Sequence, residues 1–446
     1  MDAVAHIHWS SIFLWYLLWP FLGASILLGI PKGQWVLRGS WAVMVIQFLV
    51  WWIGIISRTG RPVSVLFWED SQPVWACFLV LLFSQLVGHI LFARPWENKP
   101  FQHKDGMIFW CLAGLTQFAI AATYIHVVWA CVLGMFVMVS CVFFKPQALL
   151  ARFENRAFAN GLHVFLPGWI ISLSGILLAP YGGDTAQVGW VMSVSEGLIL
   201  YGAGVMLHAV YCLSVCLQKM QRGRGMGVVF LPFFLLCLYG LVLRWPERME
   251  NIGIQASLLI PASIGVVGWG IVQAFRKNFI MASIFIHFGA ALACLGLKTG
   301  EATSISLLLM GVLALITPLG LWLEKGGCDN KLLLFVGTIF CLGLPPAGFF
   351  IGDIVLVRYL FHQLFWFGIF GIGVLGVLVV SGRHYFYQKI QESASLETLD
   401  GGTVMVKPIT AIILVYFLAS GIPVLFFSSL LYGTATELVA TTTKAK

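Results

Sequence analysis

Charged side chains are scarce: Asp, Glu, Lys and Arg together make up only 10% of the 446 residues. That excludes an ordinary soluble domain, in which about a quarter of residues are charged. Strand-type alternation over ten-residue segments is missing as well, which removes a transmembrane β-barrel. There is no glycine-rich nucleotide loop, metal-ligand set or catalytic triad, so neither self-sufficient chemistry nor a cofactor is expected. The N-terminus, MDAVAHIHWS, lacks the basic n-region of a signal peptide, and the first apolar run is expected to stay as a span. The net charge of +8 belongs to membrane topology, and no nucleic-acid partner is expected.

What the chain does have is apolar length. Hydrophobic residues make up 60% of it and its mean hydropathy is +0.93. Runs long enough to cross about 30 Å of hydrocarbon recur fourteen times: 11–30, 41–56, 73–92, 107–123, 126–144, 161–179, 188–217, 227–243, 252–275, 279–297, 303–323, a broken run around Pro345, 364–381 and 409–431. The fold class is therefore an all-α polytopic membrane protein of about 14 transmembrane helices. Loops after odd-numbered spans hold 18 of the 26 Lys and Arg; the opposite side, termini included, holds seven, and Arg358 lies within a span. The positive-inside rule then places both termini outside the cytoplasm. A multi-pass protein of a bacterial cytoplasmic (inner) membrane is expected, with the lipid bilayer as its solvent.

The long internal loop, 382–406, falls on the cytoplasmic side and reads as a solvated connector or a docking segment for a cytoplasmic partner. Tryptophans near span ends, such as Trp51, Trp52, Trp68, Trp96, Trp190 and Trp245, read as interfacial anchors. The ten cysteines read as small apolar packing residues.

Ionisable groups at membrane depth mark the candidate site, because an ionised side chain there costs several kcal/mol and is retained for a reason. The broken run KLLLFVGTIFCLGLPPAGFFIGDIVLVRYLFH is interrupted at Gly343, Pro345, Pro346 and Gly348, and then carries Asp353, Arg358 and His362. Pro345 cannot donate to the carbonyl one turn earlier, which must be satisfied by protein or trapped water, so such breaks line cavities. Arg358 and His362 stand at i, i+4 and can face one another. A purely structural pairing of Asp353 with Arg358 is the competing reading. Glu196, His208 and His287 lie deep in other spans, whereas His89, His126 and His362 sit near span ends and read as interfacial, and His163, close to the start of its span, is nearly as ambiguous. Carboxylates and imidazoles linked by water are what a proton relay needs. Gly197, Gly202 and Gly204 could loosen the seventh span.

Three segments carry a resemblance. Gln273, Lys277, His287 and Gly289 stand in the register of the family segment Q-x-D-I-K-R-x-I-A-Y-S-S-I-S-H-M-G. Gly343-Leu-Pro-Pro-Ala-Gly348-Phe-Phe-Ile-Gly352-Asp353 resembles G-x-P-x-x-G-x-F-x-G-E, with Asp353 on the carboxylate position. Leu238-Tyr239-Gly240-Leu241 with Arg244 is similar to A-Y-G-L-L-R. Together they resemble the antiporter-like membrane subunits of respiratory complex I (the L, M and N type), of Mrp cation/proton antiporters and of membrane-bound hydrogenases.

That resemblance implies two inverted five-helix repeats with the seventh and twelfth helices broken at mid-membrane. The division would be helices 1–3 over residues 1–106, a first repeat over 107–243, a second over 252–381, and a cytoplasmic loop and last helix over 382–446. The departures are specific. The family's fifth-helix Glu falls on Ala130, its seventh-helix Lys on Tyr201 and its eighth-helix Lys on Leu235. The expected function is a divergent proton/cation-translocating subunit of a complex I-like energy-coupling assembly, a non-catalytic component among other membrane subunits. Its degenerate path would use His287 and Asp353, with Glu196, His208, Arg358 and His362 as further candidates. The alternative is a non-pumping scaffold that anchors a cytoplasmic partner, as in two-part inorganic-carbon uptake systems. A solute transporter with its site at the Pro345 break is a third class.

Overall fold

The computed structural model describes residues 2–30, 34–57, 63–65, 68–70, 72–92, 103–143, 151–178, 188–219, 224–243, 255–297, 302, 305–313, 317, 320, 331–342, 353–354, 356–358, 360–361 and 365–396. They form α1 (Asp2–Gly29), α2 (Gln34–Ser57), α3 (Gln72–Phe92), α4 (His103–Ala121), α5 (Ile125–Phe143), α6 (Ala151–Leu178), α7 (Val188–Lys219) and α8 (Arg224–Leu243). The helices α9 (Gln255–Phe275), α10 (Phe279–Gly296), α11 (Lys331–Cys341) and α12 (Phe365–Leu396) follow. Five of the described helices carry segments long and apolar enough to cross a membrane, within α1, α2, α7, α10 and α12, and six more are apolar but shorter. This is an almost entirely helical, multi-pass membrane protein. The last run, 409–431, lies outside the described residues.

One small exception to the all-α expectation is an antiparallel hairpin, β1 (Val63–Val65) with β2 (Trp68–Asp70). Trp68 bridges Ala122 and sets its ring 4.9 Å from Phe118, so the hairpin covers the end of α4.

The chain divides into two compact units, Met1–Met249 and Glu250–Lys446. In the first, Trp15, Leu18, Leu22 and Ile26 form an exposed stripe along one face of α1. In water such a stripe would be an aggregation surface; in a bilayer it faces lipid. Trp51 departs from its anchor reading. It is buried and donates through Nε1 to the Trp75 carbonyl at 3.3 Å, while Trp52 beside it is exposed. His89 departs likewise. It is fully buried, edge-on to Trp41 at 4.7 Å and 5.4 Å from Phe109, whereas His126 and His163 are exposed.

The helices α6 and α7 pack through small residues. Ser172 Oγ donates to the Ile199 carbonyl at 2.7 Å and Ser195 Oγ to the Gly175 carbonyl at 2.6 Å. Backbones can come this close because Gly168, Gly175 and Gly202 carry no Cβ. Gly202 thus seals a contact instead of loosening its helix. The break implied for the seventh helix is also absent: α7 runs unbroken for 32 residues. The physical reason is local, since α7 contains no proline and every backbone donor within it is available to the ladder.

In the second unit α9 and α10 form a tight helical hairpin, with Gly270 against the backbone of Ala282 and Ile286, and Gly289 against that of Ser263 and Val267. The turn between them is built by the motif residues. Lys277 takes φ 64°, the left-handed end of a helix, the Lys277 amide donates to the Ala274 carbonyl at 3.0 Å, and Asn278 Nδ2 donates to Gln273 Oε1 at 3.0 Å. A β-branched residue is strained at that φ. Lys277→Val is expected to destabilise by about 1–2 kcal/mol and Lys277→Gly to leave stability unchanged or raised. Thermal unfolding in detergent checks both; equal midpoints for the two variants would refute the assignment.

The last described helix reaches into the long internal loop. α12 spans 32 residues, Phe365–Leu396, or about 48 Å, so residues 382–396 are helical and prolong the span well past the hydrocarbon thickness.

Candidate functional site

The site lies in the second unit and is assembled from α10, α11 and the segment that carries Asp353. His287 sits mid-way along α10, whose residues are almost all buried. Its Nε2 lies 3.3 Å from Asp353 Oδ2, and the two residues are 1% and 6% exposed. Its Nδ1 lies 2.8 Å from the Ser283 carbonyl oxygen, one turn earlier in the same helix.

That geometry fixes the protons. A carbonyl oxygen only accepts, so Nδ1 carries the hydrogen and donates it to Ser283. In the neutral ring Nε2 is then a bare lone pair facing a carboxylate oxygen, which is repulsive unless a proton lies between them. The pair therefore holds one proton, as imidazolium with carboxylate or as imidazole with carboxylic acid. Moving that proton across the gap needs no rotation of either side chain.

Ser283 has a second duty. Its hydroxyl donates to the carbonyl of Cys341, the last residue of α11. Cys341 stands four residues before Pro345, so this is the carbonyl that a proline at 345 cannot serve. The Cys341 carbonyl is served instead by a side chain of another helix. Polar groups thus run from the Cys341 carbonyl at the end of α11 through the Ser283 hydroxyl and carbonyl and His287 to Asp353. Ser283→Ala leaves the Cys341 carbonyl buried without that donor and is expected to cost about 1–3 kcal/mol. Chemical or thermal unfolding in detergent measures it; a wild-type midpoint would mean that the carbonyl is served by another group.

The surroundings are apolar. Asp353 borders a cleft of about 160 Å³ whose walls include Val267, Ile286, Leu356, Val357, Phe370 and Val374. Apart from Ser263 and Asp353 the lining is hydrocarbon or glycine. Such walls keep bulk water away from one side of the carboxylate and strengthen its interaction with His287.

Not every candidate joins this cluster. Asp353 faces His287, and Arg358, five residues on, is exposed, so the structural pairing of Asp353 with Arg358 is not what the fold builds. Glu196 and His208 both lie on α7 in the first unit; Glu196 is buried, and His208 is half-buried with Nε2 3.7 Å from Cys212 Sγ. Twelve residues apart on one helix, they are about 18 Å from each other along its axis and do not form a pair. His362, Gly343, Pro345, Pro346 and Gly348 lie outside the described residues. Of the positions that the resemblance sets against charged residues, Tyr201 is 65% exposed, Ala130 is exposed and Leu235 is fully buried. Sequence reasoning missed Ser283, although two signals pointed to it: one turn before the histidine, and a hydroxyl in an otherwise apolar run.

No family model matches the sequence, and no curated protein matches it. Solved structures do. A chain of the Mrp complex from Dietzia sp. aligns with TM-score 0.71 at 11% identity, over 98% of this chain and 98% of that one. A chain of the membrane-bound sulfane sulfur reductase, an archaeal respiratory membrane complex, aligns with TM-score 0.69 at 15% identity, over 96% and 99%. A chain of respiratory complex I from Thermus thermophilus with bound NADH gives 0.62 at 15%, again over 96% and 99%. At such identities the likeness is one of fold, and it extends over nearly the whole length of both partners in each comparison.

Proposed function

We propose that this chain, which has the fold of subunits from complex I, Mrp and sulfane sulfur reductase assemblies, is an antiporter-like membrane subunit of a complex I-like energy-coupling assembly. It sits among other membrane subunits in a bacterial inner membrane, with both termini outside the cytoplasm, about fourteen spans and two inverted repeats. Its proton path is degenerate. The first repeat has Ala130, Tyr201 and Leu235 where the related subunits carry charge, and the second keeps one relay, His287 with Asp353. The observation that carries the reading is the buried contact of His287 Nε2 with Asp353 Oδ2, with Nδ1 committed to the Ser283 carbonyl. With Nδ1 anchored in this way, the proton that can exchange is confined to the gap between Nε2 and Oδ2.

The proton enters at one member of the pair, crosses to the other and leaves along groups that differ in access to the two sides. Each transfer is set by which partner is better solvated at that moment. Mild-detergent purification of the tagged protein, followed by proton-flux measurement on the recovered assembly in liposomes, tests the reading. Copurification of other antiporter-like or redox subunits together with flux supports it. A single soluble partner and no flux would replace it with the scaffold reading, which Ala130, Tyr201, Leu235 and the long polar end of α12 favour.

A further inference from the structure

The first unit holds a second polar site at membrane depth, unconnected in sequence with the relay. Tyr16 on α1, Gln47 on α2 and Gln117 on α4 are all completely buried. The Tyr16 hydroxyl faces the side-chain amides of Gln47 and Gln117. Yet neither the phenol oxygen nor either atom of the two amides closes a well-formed hydrogen bond with a described residue. The tyrosine ring itself lies against Phe78 at 4.7 Å and Trp75 at 5.4 Å.

We propose that Tyr16, Gln47 and Gln117 together bind ordered water, forming a hydrated junction that ties α1, α2 and α4 within the membrane. Buried polar groups are almost always hydrogen-bonded, and in hydrocarbon the alternatives are protein or trapped water. Three side chains from three helices, the phenol facing both amides and none of their polar atoms closing a well-formed bond, supply the several donors and acceptors that a buried water needs. The ligand is water and not an ion because all three groups are neutral, so a lone charge among them would be uncompensated. Water suits the geometry for a further reason. An amide offers both a donor and an acceptor, so water can bridge amide to amide or amide to phenol without requiring one rotamer. The junction thereby links the three helices through adaptable bonds where direct contacts would demand exact registry.

X-ray radiolytic hydroxyl-radical labelling of the intact purified protein, read residue by residue by mass spectrometry, tests this, since buried side chains are labelled where water is bound beside them. Tyr239 is the control, being a tyrosine of similar burial at 1% exposure. Tyr16 is expected to be labelled about tenfold faster than Tyr239 if it touches bound water. Equal protection of the two would overturn the proposal, because the junction would then be dry. In a Gln47→Leu, Gln117→Leu double variant the labelling of Tyr16 should fall to the Tyr239 level. Persistent labelling in a folded double variant would move the water to other partners and overturn the assignment. If the double variant does not fold, Gln117→Met, which keeps length and volume, serves in its place with the same two outcomes.

Discussion

Asp353→Asn is expected to lower proton flux through the assembled complex by about 10²-fold while leaving assembly and stability intact. The substitution is nearly isosteric and suits the unprotonated ring. His287 Nδ1 is committed to the Ser283 carbonyl, so Nε2 is free to accept, and the new amide can donate to it across the same 3.3 Å gap. The structural contact survives and only the exchangeable proton is lost. Asp353→Glu keeps a carboxyl group and should retain partial flux. The measurement is acidification-driven dye quenching in liposomes at equal protein, alongside native-gel assembly. Wild-type flux in the Asn variant would remove the relay from this pair and leave the site a structural tie.

The largest effect on stability is expected at Gly202. A Cβ there would lie 2.7 Å from the Ser172 backbone nitrogen and would also press on Ser172 Oγ and the Gly168 carbonyl. None of these is the far end of a flexible side chain, so α7 has to back away from α6. That displacement also stretches the Ser172 to Ile199 and Ser195 to Gly175 bonds. Gly202→Ala should therefore destabilise by about 3 kcal/mol. Gly204, two residues on, meets nothing within 4 Å, and Gly204→Ala should raise stability by about 0.5–1 kcal/mol through helix propensity. Thiol-reactive fluorescence on heating in detergent reads both, since the described cysteines are free and several are buried. Similar midpoints for the two variants would show that the α6–α7 contact is not close-packed in solution.

What the sequence determined by itself was set by local chemistry. Low charge and long apolar runs dictate helices in a bilayer, because a backbone in hydrocarbon must satisfy itself. Asp353 and His287 stood out for the same reason, being costly where they lie. Even the need for a partner at the Pro345 break was legible, because a missing N–H is a property of one residue.

The tertiary structure decided which of these groups meet. His287 and Asp353 are far apart in the chain, and only packing brings Nε2 to Oδ2 and Ser283 to the Cys341 carbonyl. Packing likewise turned Arg358 outward, buried His89 and Trp51 against aromatic rings, and made Gly202 a contact where composition suggested a loose point. A one-dimensional pattern gives the depth of a side chain along its helix, but the direction it faces and the neighbour it finds depend on how helices cross, which is set by contacts among residues remote in sequence.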